Sequence, residues 1–313
     1  MKKILLFLVV LFLLLLTFTY LFIPNKITIS EKINVIANRE AIFRKLGDTG
    51  EWHNWWPGEK QDTGVKKVFV LNGLRYHLDD KKFLSLPISI AKTGFKTLTE
   101  LTFIAENTEE TILSLNGFIT TSYNPVKRFR VYLTANKLKK DIKNLLQSVK
   151  SCYSTTKSLY GYDIQKKLVV DSILLSTFKE SKGYPSLKII YSLIDELKRY
   201  IKQESAKEKG NPMLNVFTKD SITYLVKVAI PVDKELPSSG NINYRRMLGG
   251  GNILVTEVKG GESEIQKAYD QIQHYISDHN RVAPAISFES LVTDRRQEPD
   301  SSKWVTRIYY PVM

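Results

Sequence analysis

Two stretches of this chain, KGYPSLKIIYSLIDELKRYI at 182–201 and GGESEIQKAYDQIQHYI at 260–276, are versions of one pattern. Each is a glycine turn followed by a helix with apolar residues every three or four positions. Gly183 and Tyr191 precede Gly261 and Tyr269 by 78 residues, and VKVAIPV at 226–232 precedes TRIYYPV at 306–312 by 80. Only two copies of so long a unit make a duplicated domain with a pseudo-twofold axis, not a solenoid. Each copy reads strand, helix, strand, strand: 168–178, 184–203, 213–218 and 221–230, then 252–258, 262–279, 286–292 and 303–310. Two small sheets joined in this way leave a groove along the axis.

The 313 residues, 43% hydrophobic and 11% aromatic, suffice for a second domain ahead of the duplication. Ile27 to Val35 alternates as a strand, and Asn38 then caps a short helix through Ala41, Ile42, Phe43 and Leu46. GEWHNWWPGEK follows, carrying Trp52, Trp55 and Trp56. Alternation predicts strands at 66–72, 74–79, 83–89, 97–105, 110–116 and 128–134, with turns such as Asn72-Gly73 and Glu106-Asn107. Leu138, Ile142, Leu145, Leu146 and Val149 then repeat at helical spacing. A curved antiparallel sheet wrapped around a long final helix encloses space for an apolar ligand.

The first segment constrains location. Lys2 and Lys3 precede an uncharged apolar run from Ile4 to Ile23, long enough as a helix to cover the roughly 30 Å of a bilayer core. The run leads into Pro24 with no small-residue cleavage site, which favours an uncleaved anchor over a signal peptide. The two leading lysines place the N-terminus in the cytoplasm and the later domains outside, while Lys26 and Lys32 pull against that orientation. The expectation is therefore a single-pass protein meeting the bilayer through residues 4–23. The single Cys152 excludes an intrachain disulfide.

The net charge of +14 is spread as +2 over 1–23, +8 over 24–155 and +4 over 156–313, so no one segment is a basic tail. The densest cluster, Lys137, Lys139, Lys140 and Lys143, sits at helical spacing and reads as a solvated face or a face for anionic lipid. No recognition-helix, zinc-finger or RNA-binding signature accompanies it, and no nucleic-acid partner is expected.

Residues 27–155 resemble the START-like superfamily, also called SRPBCC or polyketide-cyclase-like, on Trp52-x-x-Trp55-x-Pro57 after the first helix and on the final helix. That resemblance implies that the tryptophans close one end of a barrel. Residues 160–313 resemble the GyrI-like small-molecule-binding domain, the effector-binding module of some transcription activators. The match rests on GGESEIQKAYDQIQHYI, FES and EPDSSKWVTRIYYPV. The expected chain is thus α+β: an anchor at 1–24, a START-like helix-grip domain at 25–157 and a duplicated βαββ GyrI-like domain at 158–313. The GyrI-like resemblance implies that the acid on the third strand of the second repeat lies at the groove centre and attracts cationic or polarised apolar ligands. Glu289 holds that position. The aromatic common in the family two residues later is here Leu291.

Read from the residues, Glu289 has Asn215 as its first-repeat counterpart, counting back from Asp220 and Asp294. A carboxylate in an apolar groove needs compensation and has a raised pKa. The competing reading is a solvated strand residue, or one paired with Arg307 or Lys227. Trp304 and Tyr224, and Tyr191 and Tyr269 on the helices, are the candidate ligand walls, with core packing as their alternative. Tyr309 lies on the opposite face of its strand from Trp304.

Conventional catalytic sets are missing from the sequence. His53, His77, His274 and His279 make no metal-ligand spacing, MLGGGN at 247–252 lacks the residues of a phosphate loop, and neither a G-x-S-x-G nor a Cys–His pattern occurs. No cofactor is expected. The function expected is a membrane-anchored binding protein for apolar or amphipathic small molecules, cations included. Two alternatives stand beside it: a hydrolase with Glu289 as general acid or base, a chemistry found among GyrI-like relatives, and a non-catalytic signalling protein with vestigial pockets. Oligomeric state is open.

Overall fold

The computed structural model describes residues 2–62 and 67–313, which divide into two compact units at Leu159 and Tyr160. The expected strand at 66–72 begins outside the described residues.

In the first unit, helix α1 (Lys2–Phe22) precedes β1 (Lys26–Val35), α2 (Arg39–Gly47), β2 (Glu59–Asp62), β3 (Lys67–Leu71), β4 (Leu74–Leu78), β5 (Ser85–Lys92), β6 (Phe95–Ala105) and β7 (Thr111–Thr120). Helices α3 (Pro125–Cys152) and α4 (Thr156–Tyr160) follow. The strands form one antiparallel sheet in the order β1-β7-β6-β5-β4-β3-β2. Asn72 and Gly73, with φ of 52° and 78°, make the positive-φ corner that a tight β3–β4 hairpin requires. The Asn38 side chain accepts from the backbone of Glu40 and Ala41, satisfying the start of α2.

Helix α3 packs on β1 and β7 through Ala135, Leu138, Ile142, Leu145, Leu146 and Val149, all buried. Its start corrects the expected strand at 128–134. The Asn124 side chain accepts from Lys127 N at 3.0 Å, and Pro125 stands in the first turn, where its missing N–H costs nothing. Those two residues begin the helix well before its apolar repeat is readable. Trp52 and Trp56 are 1% and 6% exposed and stack on each other, with Phe69 and Tyr76 against them.

The bilayer anchor expected at 4–23, and the single-pass topology built on it, are corrected. Among the described residues no helix is long and apolar enough to cross a membrane. The end of α1 is instead tied into the first unit. Arg128, 3% exposed, donates from Nε to Ile23 O at 2.9 Å and lies over the Tyr20 ring, whose hydroxyl donates to Tyr123 O.

The second unit contains β8 (Gln165–Leu168), β9 (Ser172–Lys182), α5 (Leu187–Gln203), β10 (Met213–Thr218), β11 (Thr223–Val232) and β12 (Asn243–Met247). Then come β13 (Asn252–Lys259), α6 (Glu262–Asp278), β14 (Phe288–Leu291) and β15 (Val305–Val312). All eight strands join one sheet in the order β12-β9-β11-β10-β14-β15-β13-β8. The repeats are β9-α5-β10-β11 and β13-α6-β14-β15, and they meet where β10 pairs antiparallel with β14.

Helix α5 packs on β9 and β11, and α6 on β13 and β15. Ile190, Leu193, Ile194, Leu197 and Ile201 give α5 an apolar stripe buried against Leu214, Val226, Val228 and Ile230. At roughly 1.5–3 kcal/mol per fully buried aliphatic side chain, this stripe outweighs the helix's own propensity as the reason it forms. The two helices cover the flanks of one sheet face and leave β10 and β14 between them.

Candidate functional site

Strand alternation sorts the residues of β14. Leu291 is 5% exposed in the core with α5, so Glu289, two positions earlier, faces the same helical side, while Phe288 and Ser290 face the other. Glu289 stands opposite Leu214 of β10 and Ile308 of β15, which are 2% and 0% exposed. An acid is thereby fixed in an apolar stripe at the sheet centre.

Its partner is Arg295, in the loop between β14 and β15. Arg295 Nη2 lies 3.4 Å from Glu289 Oε2, with side chains 8% and 13% exposed. The same nitrogen donates to Thr306 Oγ1 at 3.0 Å, and the guanidinium lies 4.9 Å over the Trp304 ring. Burial pushes the Glu289 carboxyl above the usual carboxylate range; Arg295 opposes that shift, and the Glu262 charge adds to it. The expected partners Arg307 and Lys227 are elsewhere. Arg307 pairs with Glu257 at 2.9 Å, and both it and Lys227 lie on the opposite sheet face.

The aromatic candidates separate by what they touch. Trp304 stacks on Arg295 and anchors its indole Nε1 on Glu298 O at 2.7 Å. Tyr191 buttresses the loop: its hydroxyl accepts from Arg295 N at 2.6 Å, and Arg296 lies 4.3 Å over its ring. Burial, and after it the Glu289 charge, raises the Tyr269 phenol pKa, and its ring meets Tyr310 at 6.4 Å. Tyr224 packs edge-on against Tyr184 at 5.7 Å. Tyr184, half exposed, is raised by burial, by a hydrogen bond to Glu262 and by the Glu289 charge, so the Tyr224–Tyr184 pair borders the same acid. Tyr309 stacks on Phe288 at 4.9 Å on the far face.

Sequence reading missed Arg295, Tyr184 and Glu262. Arg295 sits in TDRRQEPD, which has no periodicity to mark a direction; the nearest signal was an arginine pair between an acid-bearing strand and its partner.

The repeat alignment also needs correction. By register Asn215 stands opposite Lys227, whereas Glu289 stands opposite Ile308 and Leu214, so the two lie on opposite faces of the sheet and are not counterparts. Asn215 faces away from the helices and donates to Ser287 O at 2.8 Å.

Comparison with known proteins bears on part of this unit. Residues 177–313 match the GyrI-like small molecule binding domain. The match lies inside the second unit, and the START-like resemblance of the first unit is not confirmed by it. No curated protein is significantly similar to the chain.

Among solved structures, EcmrR in a DNA complex is 16% identical, with 61% of this chain and 72% of that one covered and a TM-score of 0.43. SAV2435 bound to tetraphenylphosphonium is 15% identical, covering 48% and 93%, with a TM-score of 0.32. A hydrolase from Listeria innocua is 11% identical, covering 48% and 91%, with a TM-score of 0.38. Likenesses of this order say nothing about the ligand of the GyrI-like domain here. EcmrR is seen on DNA, which is said of that protein, and the expectation of no nucleic-acid partner is not carried forward.

Proposed function

We propose that the GyrI-like domain binds an apolar small molecule bearing positive charge, seated between α5 and α6 with Glu289 as its charge partner. Trp304, Tyr224 and Tyr269 supply apolar and aromatic surface, and Tyr191 acts by positioning the Arg295 loop.

The observation that carries this reading is the incomplete pairing of Glu289. A buried carboxylate offers about four acceptor sites and prefers charge-assisted bonds of about 2.7–2.9 Å. Among the described residues Arg295 is its only hydrogen-bond donor, at 3.4 Å. Arg295 already has Thr306 and the Trp304 ring as alternative partners, so an incoming cation can take the carboxylate without stranding the arginine.

The test is a fluorescence titration with tetraphenylphosphonium, a lipophilic cation. Glu289→Gln keeps the shape and removes the charge, and the proposal requires at least tenfold weaker binding. Equal affinity of wild type and Glu289→Gln would refute it.

A further inference from the structure

The same sheet carries a concavity on the face away from α5 and α6. It is a cleft of about 920 Å³, within the roughly 300–1,000 Å³ usual for small-molecule sites. Phe178 of β9, Met213 of β10, Met247 of β12, Ile253 of β13 and Phe288 of β14 form its apolar wall. Glu289, next to Phe288, points to the other side, so the two sites are separated by the thickness of the sheet.

Charge distinguishes this cleft. Lys227, Arg245 and Arg246 line it, and no Asp or Glu does. Lys227 and Arg245 stand on the cleft face by register, opposite Asn215 and Leu174. All three cations are exposed, and among the described residues none of them makes an ion pair. Several other surface cations of this unit, Lys219, Lys267, Arg296 and Arg307, each hold a carboxylate. An apolar trough with unpaired cations and no acidic side chain is complementary to an amphiphile of the opposite charge to the one proposed for the groove.

We propose that this cleft binds the monomer of a long-chain carboxylate, with the chain along the Phe178, Met213 and Phe288 wall and the head group at Lys227 and Arg245. The site is independent of Glu289 and of the reading given to the groove.

The experiment is calorimetric titration of the full chain with dodecanoate, kept below micelle formation. Dodecyltrimethylammonium, with the same chain and opposite head, is the control. Dodecanoate is expected to bind, and Lys227→Ala/Arg245→Ala to weaken it at least tenfold. Both residues are exposed, and an unchanged circular dichroism spectrum checks the fold. Arg245→Lys, which keeps the charge, is expected to retain binding. No dodecanoate binding, or equal affinity in the double variant, overturns the proposal. So does concentration-dependent dimerisation in place of ligand uptake, because the cleft would then be an interface between copies.

Discussion

Arg295 reaches back across its loop to Glu289, Nη2 to Oε2 at 3.4 Å, and both side chains are largely removed from water. Breaking a buried pair from one side is costly because the remaining charge has no compensation, on the order of 3–5 kcal/mol. Arg295→Ala is therefore expected to destabilise the GyrI-like domain by about that amount. Adding Glu289→Gln removes the stranded charge and should recover most of the loss. Urea unfolding of both variants checks this, and additive losses would contradict it.

The carboxyl of Glu289 gives the domain a pH dependence of definite sign. Burial raises its folded-state pKa above that of the unfolded chain. Its contribution is therefore fully present below the ordinary carboxylate range and is lost as pH rises through the raised value. Thermal midpoints of the wild type should fall across that window relative to Glu289→Gln. Parallel curves would show that the acid does not titrate as its surroundings require. Affinity for a lipophilic cation should move the opposite way, rising over the same window as the carboxylate forms.

Tyr191→Phe isolates one hydroxyl. The ring under Arg296 is kept, but Arg295 N loses an acceptor now at 2.6 Å. A buried N–H left without a partner costs about 1–3 kcal/mol. The same change should loosen Arg295 and alter cation affinity, which separates a positioning role from direct contact with ligand.

Asn124→Ala should cost about 1 kcal/mol in the first unit, because it removes the side chain that caps α3 at Lys127 N. A change confined to the first unit's unfolding transition would confirm that the cap, and not the groove, is affected.

The duplication was legible because helix periodicity and the repeated VKVAIPV and TRIYYPV strands survive divergence. Glu289 was legible as an acid in an apolar strand. Its counterpart was not: an alignment slipped by one residue moves a strand residue to the other face, which is how Asn215 was matched with Glu289 although the two lie on opposite faces of the sheet. Strand 128–134 failed because Phe129, Val131 and Tyr132 suit a strand, and the Asn124-Pro125 start decided for helix. The apolar run at 4–23 stated length and composition alone; neither revealed that Arg128 and Tyr123 hold its end. Arg295 lay in an aperiodic loop, where only a structure assigns a side chain its direction.

The most direct test of the central claim is a crystal structure of the full chain with tetraphenylphosphonium bound. The account predicts the cation between α5 and α6, with its charge within about 4–6 Å of the Glu289 carboxylate and Arg295 moved toward Thr306 and Trp304. A cation found elsewhere, with the Glu289–Arg295 pair unchanged, would contradict it.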